Sequence, residues 1–146
     1  LIKPPFMVFS PDNVRIHGIT PDQVADKPKF DALWNDIRPR LEGQILLAHY
    51  AVFDTRVLRS LIKTYQLDTP AAKYACTVEI SRKVWPDLRN HKLDTVAGFL
   101  GFQFHHHQAL DDARACAVIA CKAAEKVGAS SIEELVDILG LSLKIL

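Results

Sequence analysis

Hydrophobic positions along the chain follow two different spacings. The run QILLAH at 44–49 is short, continuous and apolar, and it predicts a buried β-strand. Directly after it, apolar residues recur at every third or fourth position from Phe53 to Ile62, which predicts an amphipathic helix. A second, weaker strand is expected at KYACTV, residues 73–78.

Helical spacing dominates the remainder of the chain. The other predicted helices cover residues 28–43, 78–84, 94–100, 110–127 and 131–139. The last of them begins with Ser131 and Glu134, at the spacing of a capping box. Because strands alternate with helices, the pattern predicts a layered α/β domain.

The first twenty residues carry two further signals. PPFMVFSPDNV at 4–14 is punctuated by prolines and predicts a short edge strand or a loop. HGIT at 17–20 predicts a turn on Gly18, followed by a helix with Thr20 as its N-cap and Pro21 at its first position.

Charge and hydropathy exclude few partners. A formal net charge of +1 predicts no overall field toward nucleic acid or membrane, so any basic surface must be local. The segment 73–92 carries five basic residues against two acidic ones, a net charge of +3, which fits either a solvated face or a phosphate contact. No apolar run reaches the length of a membrane span, and prolines interrupt the apolar start where a signal peptide needs continuity.

The cysteines indicate neither a disulfide framework nor a zinc site. Cys76, Cys116 and Cys121 are odd in number and form no C-x-x-C pair. We expect three buried thiols in a cytoplasmic protein.

Two acidic positions have candidate chemistry. Asp54 lies just past the carboxyl end of the strand predicted at 44–49, where ligands collect in open α/β sheets. It is equally explained as a helix N-terminal acid stabilised by the helix dipole. Asp112 follows His107 by five residues, which would place the two about 140° apart on one continuous helix. They can face one site only if His107 lies on the preceding loop, an arrangement that suits a metal ligand beside a general base.

Three stretches together carry a family resemblance. They are HGIT at 17–20, AHYAVFD at 48–54 and HQALDDA at 107–113. In this order they resemble the later motifs of the DEDDh (DnaQ-like) 3′–5′ exonucleases, the family of the proofreading epsilon subunit of bacterial DNA polymerase III. KLDTVAGFLG at 92–101 resembles the family's segment before its last motif. The resemblance implies a ribonuclease H-like fold over residues 1–128, with a mixed sheet flanked by helices, and sets residues 129–146 apart as a C-terminal helical extension.

The resemblance also implies roles for individual residues. Asp54 and Asp112 become metal-site carboxylates for two divalent ions, Mg²⁺ or Mn²⁺, and His107 becomes the general base. His105, His106 and Asp111 fall outside the catalytic set. The implied substrate-binding residues are His17, Gly18, Ile19, His49, Tyr50 and Phe53.

The chain departs from the family pattern in two ways. Tyr50 stands where the family has Asn, although a tyrosine can stack on a base. The family's first motif, D-x-E, supplies two of its four acids, and no D-x-E occurs in these 146 residues. We therefore expect the family's opening strands to precede Leu1 in a longer protein.

The implied function is metal-dependent 3′–5′ hydrolysis of single-stranded DNA ends to nucleoside monophosphates, in cytoplasmic proofreading or repair, with a DNA polymerase subunit as candidate partner. One alternative is an RNA-trimming exonuclease of the same fold. Another is a catalytically incomplete module that binds a polymerase or nucleic acid. A structural helical adaptor would leave His107, Asp54 and Asp112 far apart.

Overall fold

A three-stranded mixed sheet organises the protein. The computed structural model describes residues 1–103 and 108–146. The strands β1 (Ile45–Ala48), β2 (Lys73–Cys76) and β3 (Lys144–Ile145) form a sheet in the order β1-β2-β3. The first two are parallel and the third is antiparallel to β2, so the predicted α/β class with a mixed sheet is observed.

Eight α-helices surround this sheet in the part of the chain that the structure describes. They are α1 (Pro11–His17), α2 (Pro21–Val24), α3 (Trp34–Leu41), α4 (Ala51–Thr64), α5 (Thr77–Val84), α6 (Leu93–Phe99), α7 (Ala109–Val127) and α8 (Ile132–Ile138). A 3₁₀ turn, Asp31–Leu33, leads into α3. None of these helices is long and apolar enough to cross a membrane.

The parallel pairing of β1 with β2 fixes where loops and helix starts gather. Parallel strands need a crossover connection, and α4 supplies it. The register sets Ala48 opposite Cys76, so both strands end at one edge of the sheet. The segments that follow, leading into α4 and α5, therefore begin side by side.

The main hydrophobic core lies between β2 and helices α5 to α8. Ile80, Val96, Ile119 and Leu135 are fully buried within it, one from each of these helices. Residues 129–146 belong to this body, because α8 contributes Leu135 to the core and β3 pairs with β2.

A smaller cluster holds α3 against α4. Phe30 and Trp34 are buried with Ile62, and the centroids of the two aromatic rings lie 5.3 Å apart. The helical spacing in both segments predicted this packing face.

The N-terminal segment differs from its prediction. Residues 11–17 form helix α1 rather than the end of an edge strand or loop, because Pro11 sits at the first helical position and the acidic Asp12 lies in the first turn. Gly18 ends the helix with φ 72°, as the predicted turn requires. Before α1, Lys3 pairs with Lys29 in an isolated parallel bridge.

The cysteine prediction was wrong for one residue. Cys76 and Cys116 are buried, but Cys121 is exposed. Five residues along α7 turn a side chain about 140° away from its starting direction, so Cys121 cannot share the buried face of Cys116.

The hydrogen bonds that cap the N-terminus of α8 involve one more residue, Ser130, than the sequence predicted. The Ser131 hydroxyl accepts a hydrogen bond from the Glu134 amide at 3.1 Å, as in a capping box. The Glu134 carboxylate instead reaches one residue further back, where the Ser130 amide and hydroxyl donate to it at 2.7 and 2.6 Å. The Ser130 hydroxyl, and to a lesser extent its amide, lower the pKa of Glu134.

We expect Ser131→Ala to lower the free energy of unfolding by about 1 kcal/mol, the usual cost of losing an N-cap. Glu134→Gln should destabilise at neutral pH, with a penalty that shrinks on acidification. A lowered folded-state pKa stabilises the fold above the unfolded value of about 4.3, and this contribution disappears as the pH falls through the lowered value. Urea unfolding at pH 7 and at low pH measures both effects.

Glu133→Gln is the matched control, because it removes a charge from the same helical turn and leaves the bonds to Ser130 in place. Equal pH dependence in the two glutamine variants would contradict the cap assignment.

Candidate active site

A cleft of about 960 Å³ opens at the edge where β1 and β2 end. Its walls come from the β1–α4 corner, α5, the 90–92 loop with the start of α6, and the start of α7. The described residues that line it are Leu47, Ala48, His49, Tyr50, Phe53, Asp54, Val78, Arg82, Asn90, His91, Lys92, Leu93, Asp94, Ala109, Asp112, Ala113 and Cys116.

Both predicted carboxylates line this cleft. Asp54 is the fourth residue of α4 and Asp112 the fourth residue of α7, so each projects from the first turn of its helix. The structure also separates the two adjacent aspartates of α7, because Asp111 forms an ion pair with Arg114 at 3.4 Å and does not line the cleft.

The cleft disfavours the charged form of Asp54. Partial loss of hydration raises the pKa of its carboxyl, and a hydrogen bond with its own backbone acts in the opposite direction. The side chain still reaches solvent, so the desolvation is incomplete. A carboxylate in this state gains more from a nearby cation than one that water surrounds fully.

His49 ties the β1–α4 corner to two neighbouring segments. Its Nε2 lies 2.8 Å from the His91 carbonyl oxygen, and because a carbonyl only accepts, Nε2 carries the proton and donates it. Its Nδ1 lies 2.9 Å from the Thr77 hydroxyl, which also lies 3.3 Å from the Ala48 carbonyl. His49, for which substrate binding was predicted, lines the cleft, and both its ring nitrogens bind protein groups.

The 90–92 loop is held in a defined position beside the acids. The His91 Nδ1 lies 3.0 Å from the Ser81 hydroxyl, which donates to the Val78 carbonyl at 3.0 Å. The Asn90 side-chain oxygen accepts from the Lys92 amide at 3.0 Å. These bonds fix the backbone from which Asn90 and Lys92 face the cleft.

Two exposed aromatic residues stand at the rim. Tyr50 is 66% exposed and Phe53 is 65% exposed, and both line the cleft beside Asp54. Tyr50 caps α4 with φ 67°, in the left-handed region that favours Gly and Asn. The family's Asn at this position therefore has a conformational reason that the sequence alone did not reveal.

Other predicted site residues lie elsewhere. His17, Gly18 and Ile19 form the end of α1 and the turn after it, where the Ile19 amide donates to the His17 Nδ1 at 3.0 Å. None of the three is among the described residues that line the cleft. His107, the predicted general base, lies outside the described residues, as do His105 and His106.

Several residues that line the cleft had no predicted role in the site. Arg82 and Lys92 belong to the segment with net charge +3, so the charge run was the available signal. Cys116 lies one helical turn after Asp112, and the i, i+4 spacing would have found it. Burial raises the pKa of the Cys116 thiol, while a hydrogen bond with the Thr77 side chain acts in the opposite direction.

The acids have the chemistry of hard-cation ligands, but the described residues do not complete a metal site. Carboxylate oxygens are what Mg²⁺ and Mn²⁺ prefer, and Asp54 and Asp112 provide them in one cleft. Within residues 1–103 and 108–146, no group of three or more His, Cys, Asp or Glu side chains is arranged to hold an ion.

Comparison with known proteins finds exonucleases and DNA polymerase III proteins among the relatives of this chain. The profile of the RNase_T exonuclease family matches residues 2–120. A PolC-type DNA polymerase III from Caldanaerobacter subterraneus subsp. tengcongensis is 35% identical over 129 residues, covering 86% of this chain and 9% of that polymerase. The epsilon subunit of DNA polymerase III from Treponema pallidum is 31% identical over 115 residues, covering 77% of this chain and 54% of that subunit. The chain thus spans about a tenth of the first relative and about half of the second.

A solved structure shares the fold. Exonuclease X in complex with 5′ overhanging duplex DNA matches with a TM-score of 0.74 and 26% identity, covering 96% of this chain and 79% of that one. This match confirms the expected ribonuclease H-like fold of a mixed sheet flanked by helices.

The strain at Tyr50 predicts that Tyr50→Asn raises the free energy of unfolding by about 1 kcal/mol, because Asn tolerates a positive φ far better than an aromatic residue. Phe53→Asn is the control, since it removes an equally exposed aromatic ring from a helical position. Urea unfolding measures both variants. A similar change in both would show that ring removal, and not backbone conformation, is responsible.

The raised pKa of Asp54 predicts that Asp54→Asn is stabilising at neutral pH when no divalent ion is added. The folded state favours the protonated acid, so the wild-type contribution is fully present below about pH 3.9 and is lost as the pH rises through the raised folded-state value. The advantage of the variant should therefore grow between pH 3 and pH 7 in thermal unfolding. Asp36→Asn, outside the cleft, controls for the removed charge, and an equal gain there would overturn the explanation.

Proposed function

Because this chain belongs to the DEDDh 3′–5′ exonuclease family, we propose that it takes part in metal-dependent removal of nucleotides from the 3′ end of single-stranded DNA. The observation that supports the proposal most directly is that Asp54 and Asp112, 58 positions apart along the chain, line one cleft at the edge where β1 and β2 end. This is the location in which α/β proteins collect ligands.

The carboxylates of Asp54 and Asp112 would hold two divalent ions, Mg²⁺ or Mn²⁺. Ions held there would supply positive charge that offsets the negative charge of a phosphodiester. The partly desolvated Asp54 is suited to this task, because a neighbouring cation removes the cost of ionising its carboxyl. His107 accepts the proton of the attacking water at a ring nitrogen.

We expect the exposed side chains at the rim of the cleft to position the substrate. Tyr50 and Phe53 are exposed rings that can stack on bases near the strand end, an interaction that every base permits. His49 keeps the corner that carries them in place through Thr77 and the His91 carbonyl. His17, Gly18 and Ile19 are proposed contacts to the terminal nucleotide, although none of them lines the described cleft.

The proposal requires two further carboxylates, because no D-x-E occurs in these 146 residues. Within the described structure β1 pairs with β2 alone, so the backbone groups along its other edge can pair with one more strand. A strand that carries D-x-E and pairs there would bring its acids to the sheet that bears Asp54.

The proposed setting is proofreading or repair in the bacterial cytoplasm, beside a DNA polymerase. Two similar proteins are polymerase III components, and the three cysteines are free thiols, as a reducing compartment favours. A second candidate function, a nucleic-acid- or polymerase-binding module without catalysis, is favoured by the two acids that the chain lacks.

The test is degradation of a 5′-labelled single-stranded oligonucleotide with Mn²⁺, using this chain and a form extended by a D-x-E strand. We expect a ladder shortening from the 3′ end, and a rate reduced about 100-fold or more by His107→Ala or Asp112→Asn. His106→Ala and Asp111→Asn, each next to its target, should leave the rate near that of the parent.

Each result is decisive for one of the two functions. A folded, extended form that binds the oligonucleotide without shortening it would favour the binding module. An RNA strand of the same sequence, run in parallel, identifies the RNA-trimming alternative if RNA is the faster substrate.

A further inference from the structure

We propose that Arg82 and Lys92 bind the phosphodiester backbone of the strand that enters the cleft, at a phosphate neighbouring the one that lies at Asp54 and Asp112. This inference rests on the proposed function, because it assigns a second contact to the same substrate. It also gives a role to part of the positively charged segment 73–92.

The two basic side chains face the cleft from different elements. Arg82 lies one turn after Val78 on α5, and both residues line the cleft, so one face of that helix points into it. Lys92 stands at the start of α6. In the described part of the chain neither side chain forms a hydrogen bond or an ion pair with a protein group, and both are exposed. Their donors are therefore available to a ligand.

The support beneath Lys92 is preorganised. The Ser81 hydroxyl and His49 hold His91, and the Asn90 side chain accepts from the Lys92 amide. A loop that is already fixed loses little conformational freedom when its side chains bind a ligand. The Asn90 amide group lines the same wall and offers uncharged donors beside the lysine.

The charge distribution of the cleft gives these cations a specific task. Asp54, Asp94 and Asp112 line it, and on their own they would repel a strand that carries a negative charge at every phosphate. Divalent ions at Asp54 and Asp112 would neutralise the phosphate that reacts. The next phosphate of the strand needs its own positive partners, and Arg82 and Lys92 are the basic residues that line the described cleft.

The other basic residues of the segment provide the contrast. Lys83 and Arg89 are exposed like Arg82 and Lys92, but they do not line the cleft. Of the five basic residues in segment 73–92, Arg82 and Lys92 therefore face the proposed substrate, and the others do not line the cleft.

The binding test compares two double variants with equal loss of charge, Arg82→Gln/Lys92→Gln and Lys83→Gln/Arg89→Gln. Fluorescence anisotropy of a 5′-fluorescein single-stranded DNA is followed in EDTA over a series of KCl concentrations. We expect the first variant to bind about tenfold more weakly at low salt, with a salt slope smaller by roughly 0.7 per lost phosphate contact. The second variant should stay close to the parent.

Equal weakening in both double variants would overturn the inference, because it would show attraction by overall charge alone. Absence of measurable binding by the parent chain at low salt would overturn it as well.

A kinetic comparison in the D-x-E-extended form separates this inference from the proposed function. The p-nitrophenyl ester of thymidine 5′-monophosphate contains one phosphodiester, whereas an oligonucleotide has a neighbouring phosphate. Arg82→Gln/Lys92→Gln should raise KM for the oligonucleotide and leave KM and kcat for the small ester unchanged. A raised KM for the ester would place the two cations at the reacting phosphate and contradict the inference. If the extended form hydrolyses neither substrate, the proposed function fails, and the binding test still decides the role of Arg82 and Lys92.

Discussion

The parallel ladder between β1 and β2 is the constraint on which the candidate site depends. Because Ala48 stands opposite Cys76, the chain leaves both strands at one edge of the sheet, and α4 and α5 begin beside each other. His49 then bonds to Thr77, the first residue of α5, across this edge. Asp54 follows one turn later. A slip of the ladder by one residue would separate these groups and reverse which side chains face the core.

Acidic and basic side chains both line the cleft in the described structure. The pKa of Asp54 is raised there, and neither Arg82 nor Lys92 forms a hydrogen bond or an ion pair with it or with any other described acid. Arg82 and Lys92 are therefore available to bind a ligand, because no described acid pairs with them. A binding surface for a polyanion with metal ions needs both: acids to hold the cations, and separate basic groups for the charge that the metals do not reach.

The β1–α4 corner resembles the family's motif but departs from it at Tyr50. Tyr50 has a left-handed backbone conformation that Asn adopts with less strain. Tyr in place of the family's Asn therefore strains the backbone, but it adds an exposed aromatic ring beside Asp54. Such strain persists only where the surroundings fix the backbone. Here β1 and the bonds of His49 fix the backbone before Tyr50, and helix α4 fixes it afterwards. We therefore expect Tyr50 to lower the stability of the fold while it offers an aromatic ring to the proposed substrate.

The sequence by itself predicted most of the element types and proposed which acids belong to the site. A continuous apolar run and helical spacing are local properties, so the strand at Ile45–Ala48 and the long helix α7 could be predicted from them. Helix α1 begins with a proline in a stretch without periodicity, so the sequence did not distinguish it from a loop. Motif order predicted Asp54 and Asp112 as site acids. Only the tertiary structure decided that these acids share a cleft with Arg82 and Lys92, because pairing register and helix packing bring together residues that no sequence spacing connects.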